Sequence, residues 1–234
     1  MTEKKKFIWF SVLLAVLFAA SVCVIFLYAI PQYKKRIGLA LAVQNYKQAK
    51  LDRYNQENNS YADYEVDVAF LGDSLTDMYN VEQFYPQYKV VNRGIGGDTT
   101  FDLQNRLQVS AYDLKPKVVV MLIGANNIQT MFENYEDIVI GLKTNLPNTK
   151  IVLLSLTSMS GTWGHNNQIA CFNNVKIELI AKKHNCTFID LYNPLFNLET
   201  NSLSAEYTID GGHLTEQGYW VVTNTITPVL EGLL

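Results

Sequence analysis

The hydrophobic rhythm of the chain changes twice along its length. Residues 7–30 are almost all Val, Leu, Ala, Phe and Ile, with no charged side chain and no amphipathic period. A helix of that length rises roughly 35 Å, enough to cross a hydrocarbon core of about 30 Å. A cleavable leader has an apolar region of only about 7–15 residues, and this run continues well past the small residues Ala19-Ala20-Ser21. Cys23 follows the bulky Val22, which argues against a lipoprotein site. The pattern predicts an uncleaved single-span anchor over residues 1–31, closed by Pro31. Next comes a polar stretch with a sparse apolar stripe (Ile37, Leu41, Tyr46, Leu51), which predicts a helical stalk and a Gln/Asn/Glu-rich linker over residues 32–62.

From about Tyr64 the pattern becomes short apolar runs separated by segments of helical period. Residues 66–71, 90–92, 118–123, 151–156 and 187–191 read as buried strands rich in β-branched side chains. Residues 99–109, 133–144, 168–184 and 215–233 carry apolar positions at helical spacing. Strands alternating with helices predict a parallel sheet covered on both faces. Residues 63–234 are therefore expected to form a three-layer α/β/α domain of about five parallel strands.

Charge narrows the functional classes. The 234-residue chain has a net charge of −3 with scattered lysines, which removes the basic face a nucleic-acid partner requires. Its three cysteines, Cys23, Cys171 and Cys186, show no CxxC spacing, so neither a zinc site nor any other metal or cofactor is expected. Lys4, Lys5 and Lys6 before the apolar run nearly balance Lys34, Lys35 and Arg36 after it. The short basic tail still resembles an export signal, and long C-terminal domains translocate largely regardless of charge. The expected location is the cell membrane, single-pass, with the folded domain on the extracytoplasmic side.

The polar motifs all follow predicted strands, so the topology should gather them at the carboxyl edge of the sheet, where open α/β folds place their chemistry. Gly72-Asp73-Ser74-Leu75 ends the first strand and presents Ser74 as a nucleophile that needs a base. Asp210-Gly211-Gly212-His213 supplies His213 as that base and Asp210 to orient it. Attack on an ester carbonyl builds an oxyanion, which calls for fixed donors. The candidates are the N–H of Ser74, the N–H of Gly97 and the side-chain amide of Asn126. Trp163 and His165, in the loop after the fourth strand, are the candidate pocket wall. Asp77 reads as a solvated or loop-bonding carboxylate, and His184 as a structural residue at a helix end.

On these residues the chain resembles the SGNH, or GDSL, hydrolases. That family's blocks are centred on Ser, Gly, Asn and His, matched here by Ser74 in Gly-Asp-Ser-Leu, Gly97 in Gly-Ile-Gly-Gly-Asp, Asn126 in Gly-Ala-Asn-Asn and His213 in Asp-Gly-Gly-His-Leu-Thr. The resemblance runs from about Val66 to the C-terminus. Its wording is nearest to the platelet-activating-factor acetylhydrolase branch and bacterial lysophospholipase-like esterases. It implies a flavodoxin-like fold and metal-free ester hydrolysis through an acyl-enzyme, often with acetyl or other short acyl groups. Asn127 stands where the family usually has Asp. Membrane tethering points to envelope carbohydrate or lipid esters as substrates. Two other readings remain open: an O-acyltransferase subunit working beside a multi-span membrane acyltransferase partner, and a non-catalytic anchored binding module.

Overall fold

The computed structural model describes residues 2–234 and divides into two compact units, one up to Ala49 and one over Lys50–Leu234. The first unit is part of a single helix, α1, over Glu3–Asn58. Its apolar side chains, including Phe7, Trp9 and Leu27, lie exposed along the helix. Such a helix is long and apolar enough to cross a membrane. Pro31 does not end it. A wide turn over Ile25–Ala29, in which the Ile30 N–H donates to Ile25 O, absorbs the proline ring and its missing donor, and the helix continues.

The second unit is built on five parallel strands: β1 (Val68–Gly72), β2 (Val90–Gly94), β3 (Val118–Leu122), β4 (Lys150–Leu154) and β5 (Thr187–Ile189). Their order is β2-β1-β3-β4-β5. The chain moves outward from β1 first to one side and then to the other, so β1 and β3 flank the point where strand order reverses. The helices that frame the sheet and the site include α2 (Ser74–Asp77), α3 (Thr100–Asn105), α4 (Tyr135–Asn145), α5 (Asn167–Lys183) and α6 (Glu216–Leu233).

Alternation along the strands sorts the core into two layers. Ala69, Leu71, Val119, Met121, Ile151 and Leu153 pack against Leu103 of α3, Ile138 and Leu142 of α4, and Ile177 of α5. Val68, Phe70, Val118, Val120, Val152 and Leu154 face the other way, onto Tyr219, Val222, Ile226 and Leu230 of α6. Both faces being buried explains why the strands read as continuous apolar runs. The expected three-layer α/β/α architecture is the one observed. A small antiparallel hairpin, β6 (Phe196–Asn197) with β7 (Ser202–Leu203), was not legible, because two-residue strands carry no period.

The end of α1 differs from the sequence reading, which made residues 32–62 stalk and linker. Residues 50–58 belong to the second unit. The Tyr54 hydroxyl donates to Gly94 O at 2.6 Å, and Asn58 Nδ2 donates to Val109 O at 2.7 Å. Arg93, fully buried on β2, forms an ion pair with Glu57, donates to Asn58 Oδ1 at 3.0 Å and lies 4.6 Å over the Tyr54 ring. These contacts are polar and aromatic rather than aliphatic, so an apolar stripe could not announce them.

Breaking a buried ion pair leaves an uncompensated charge. Glu57→Ala should therefore lower stability by about 3 kcal/mol, the low end for such pairs because Glu57 is partly exposed. A chain shortened to begin at Ser60 loses Tyr54, Glu57 and Asn58 together and should show no cooperative transition. Thermal unfolding followed by circular dichroism checks both.

Candidate active site

β1 ends at Gly72, and the chain turns sharply into α2. A Cβ at Gly72 would lie 2.3 Å from Leu122 O and 2.1 Å from the Thr76 hydroxyl, so only glycine fits this crossing. Asp73 caps α2, its Oδ1 accepting the Leu75 N–H at 3.1 Å. This places Ser74 in the first turn with its side chain at the carboxyl edge of the sheet.

The histidine arrives on a separate loop. Thr208 Oγ1 donates to His213 O and accepts the Gly211 N–H, both at 2.8 Å. Gly211 adopts φ +93°, and a Cβ there would lie 2.4 Å from Ser160 O. His213 Nε2 then lies 3.0 Å from Ser74 Oγ, and Nδ1 lies 2.8 Å from Asp210 Oδ2. With Nδ1 donating to the carboxylate, Nε2 is the acceptor for the serine proton. Asp210 Oδ1 also accepts the His213 and Gly212 N–H groups at 2.8 and 2.9 Å. The His213 amide first, with the imidazole and the Gly212 amide, holds the Asp210 carboxyl down to about 2. Ser74, His213 and Asp210 thus form one hydrogen-bonded line, the geometry that a nucleophile, its base and an orienting carboxylate require.

Of the expected oxyanion donors, Ser74 and Asn126 line one cleft, and Gly97 lies on the neighbouring loop after β2. Gly97 has φ +78° with nothing within 4 Å of a Cβ position, so its glycine serves conformation rather than close packing. Among the described residues neither the Ser74 nor the Gly97 N–H donates to a protein acceptor. Asn126 Nδ2 donates to Asp98 O at 2.9 Å, which fixes the amide plane and leaves its second hydrogen for a ligand.

Ser74, His213, Asp73, Leu75, Ala125, Asn126, Thr157, Met159, Trp163 and Gly212 line a cleft of about 40 Å³. Trp163 lines this cleft and lies against Gly212, its ring 3.2 Å from a Cβ position there. His165 is not brought to the cleft. It is exposed, and its Nδ1 lies 2.7 Å from Thr162 O in its own short helical turn. Sequence adjacency had grouped the two residues, but a helical turn points them in different directions. His184 is 2.6 Å from Glu136 and lies away from the site, as expected of a structural residue.

Several supporting residues were missed. Arg106 is buried and donates from Nε to Asp98 at 2.7 Å, from Nη1 to Arg93 O and Ser110 Oγ, and from Nη2 to Gly72 O. The available signal was a charge at helical spacing from the apolar Leu103. Asn127, noted in the sequence only as a departure from the family's usual Asp, accepts the Thr100 N–H at Oδ1 and donates from Nδ2 to Thr100 Oγ1, which docks α3 onto the Asn126 loop. Asn167 and Asn174 of α5 bond the backbone N–H and C=O of Met159 and Leu156, holding the loop that carries Thr157 and Met159. Cys171 and Cys186 are free thiols.

Burial pushes the Asp73 carboxyl up to about 7, with Asp98 adding to the effect. The folded protein then holds a proton that the unfolded chain releases from about pH 4. The stability contributed by this group is full below pH 4 and lost as pH rises through 7. In Asp73→Asn the amide oxygen still accepts from Leu75, so this loss should disappear. Unfolding midpoints between pH 4.5 and 8 should fall for the native sequence and stay flatter in the variant.

The GDSL-like Lipase/Acylhydrolase family model matches residues 70–221. Platelet-activating factor acetylhydrolase IB subunit alpha2 of Rattus norvegicus is 29% identical over 202 residues, covering 78% of this chain and 86% of that protein. The solved structure of a GDSL-like lipase from Bacteroides thetaiotaomicron superposes with a TM-score of 0.69 at 27% identity, covering 79% of this chain and 98% of that one. An acetylxylan esterase from Geobacillus stearothermophilus shares the fold at 18% identity and a TM-score of 0.60, over 72% of this chain and 95% of that one. With the family's Gly-Asp-Ser and Asp-Gly-Gly-His segments meeting in one cleft, this chain belongs to the GDSL-like lipase/acylhydrolase family and is a serine hydrolase.

Proposed function

We propose that this hydrolase is a membrane-anchored esterase that removes acetyl or other short acyl groups from envelope carbohydrate or lipid through a Ser74 acyl-enzyme. The observation that carries this reading is the 3.0 Å contact of His213 Nε2 with Ser74 Oγ in a cleft that Asn126 also lines. Ser74 Oγ attacks the ester carbonyl carbon and its proton passes to Nε2. The Ser74 and Gly97 amides and Asn126 stabilise the oxyanion, and the imidazolium, balanced by Asp210, returns the proton to the departing alcohol. Water repeats the sequence with His213 again as base and releases the carboxylic acid.

The short-acyl reading draws on two things. The cleft of about 40 Å³, walled by Trp163, Met159 and Leu75, is far below the roughly 300 Å³ or more of a drug-sized ligand site. The rat relative is by its printed name an acetylhydrolase. Water as acceptor is favoured by exposure, since the His213 and Asp210 side chains are 31% and 45% accessible. Anchoring rests on the apolar part of α1, with the N-terminus in the cytoplasm and the domain outside.

A fluorophosphonate should label the protein, and Ser74→Ala should abolish both labelling and hydrolysis. On p-nitrophenyl esters, kcat/KM should be highest for acetyl and fall at least tenfold by octanoyl. Transfer to a glycan acceptor exceeding hydrolysis would overturn the esterase reading. A C-terminal alkaline phosphatase fusion should be active and a C-terminal cytoplasm-dependent fluorescent fusion dark; the reverse places the domain inside.

A further inference from the structure

The loop that presents Gly97 has its backbone groups assigned almost one by one. The Ile95 N–H donates to Gly72 O at 3.1 Å. The Gly94 N–H donates to Asn92 Oδ1 at 2.8 Å, and Gly94 O accepts from the Tyr54 hydroxyl. The next amide, that of Gly96, donates to Asp77 Oδ2 at 3.1 Å. Asp77 Oδ1 is in turn ion-paired with Lys50 Nζ. Both partners are largely shielded, with 14% and 23% of their side chains exposed, so this is no loose surface pair. The end of α2 and the loop also touch backbone to backbone: a Cβ at Gly94 would lie 2.2 Å from the Asp77 amide. Asn92 Nδ2 closes the same junction on Thr76 O and Tyr79 O.

We propose that Lys50 and Asp77 are positioning residues for catalysis, aiming the Gly97 N–H at the oxyanion by holding the Gly96 peptide. The inference rests on the Ser74 reading above and names a further part of that site. Asp77 begins one helical turn after Ser74, so a single short helix carries the nucleophile and the anchor of the oxyanion loop. Gly97, at φ +78°, has no side chain, and nothing lies within 4 Å of its Cβ position. Its direction comes from its neighbours on both sides: Asp98 is held by Ile95 O and Arg106, and the Gly96 N–H is held by Asp77. A carboxylate acceptor makes roughly twice as strong a bond to an N–H as a neutral one, and Lys50 restrains the carboxylate that does so. A displacement near 1 Å in such a donor is enough to cost a large factor in rate.

The test uses the full chain in detergent with p-nitrophenyl acetate. Asp77→Ala and Lys50→Met should each lower kcat about tenfold, less than the 10²–10³ for deleting a donor outright, with KM little changed. Each should also narrow the preference for an oxo ester over its thiono analogue, because sulfur is a poor partner for an oxyanion site. Combining Lys50→Gln with Asp77→Asn rebuilds a neutral hydrogen-bonded pair and should keep most of the native kcat, a loss smaller than the two single losses sum to. Complete titration with a fluorophosphonate normalises every variant to its folded sites. Unchanged kcat in both single variants overturns the proposal. So does a fall in kcat with the oxo/thiono ratio unmoved, which would mark a merely structural pair. If the unaltered chain neither turns over nor labels, the Ser74 reading falls and takes this inference with it; if it turns over while Asp77→Ala matches it, only the positioning role falls.

Discussion

Arg106 reaches under the carboxyl edge of the sheet with almost all of its surface buried, and its donors join the end of β1 to the end of β2 and the loop that follows it. Gly72 O lies just before the nucleophile turn, Arg93 O lies at the end of β2, and the Asp98 carboxylate adjoins Gly97. Asp98 O then receives the Asn126 amide, so the Asn block is joined to the same centre. A buried guanidinium is tolerable only when its donors and its charge are both answered, and here Asp98, two carbonyls and Ser110 answer them. The consequence is geometric: strand ends that would otherwise be independent loops are held in one arrangement before any substrate binds. Preorganised donors of this kind are what oxyanion stabilisation requires.

A second buried arginine extends the same arrangement to the end of α1. Arg93 is buried on β2, and its side-chain partners, Glu57, Asn58 and the Tyr54 ring, all come from that helix. The last turns of α1 therefore complete the hydrolase domain rather than lead up to it. A domain boundary drawn from hydropathy alone would cut through these contacts.

The glycines of the motifs divide by physical cause. Gly72, Gly94 and Gly211 are places where a Cβ would collide with backbone, whereas Gly97 is a matter of backbone conformation in open space. Only the last concerns the amide proposed as an oxyanion donor; the others let chain segments approach closely enough for Ser74 and His213 to meet. Asp73, between Gly72 and Ser74, is a cap on α2 and a buried carboxyl, which explains its position in the motif without a chemical step.

Much of this was legible in the residues themselves. β-branched runs alternating with helical spacing defined a five-strand parallel sheet, because burial on both faces leaves no other pattern. The motifs at strand ends named Ser74, Gly97 and Asn126, since parallel topology brings those ends together whatever the loops between them do, and the Asp-Gly-Gly-His motif before the last helix named Asp210 and His213. Local order could not say which way Trp163 and His165 face, that α1 runs through Pro31, or that residues 50–58 belong to the domain. Nor did it single out Arg106, the partners of Asn127, or Lys50 as the partner of Asp77. Those features depend on hydrogen bonds and charges between residues dozens of positions apart, which leave no period in the chain and acquire meaning only when the fold sets them side by side.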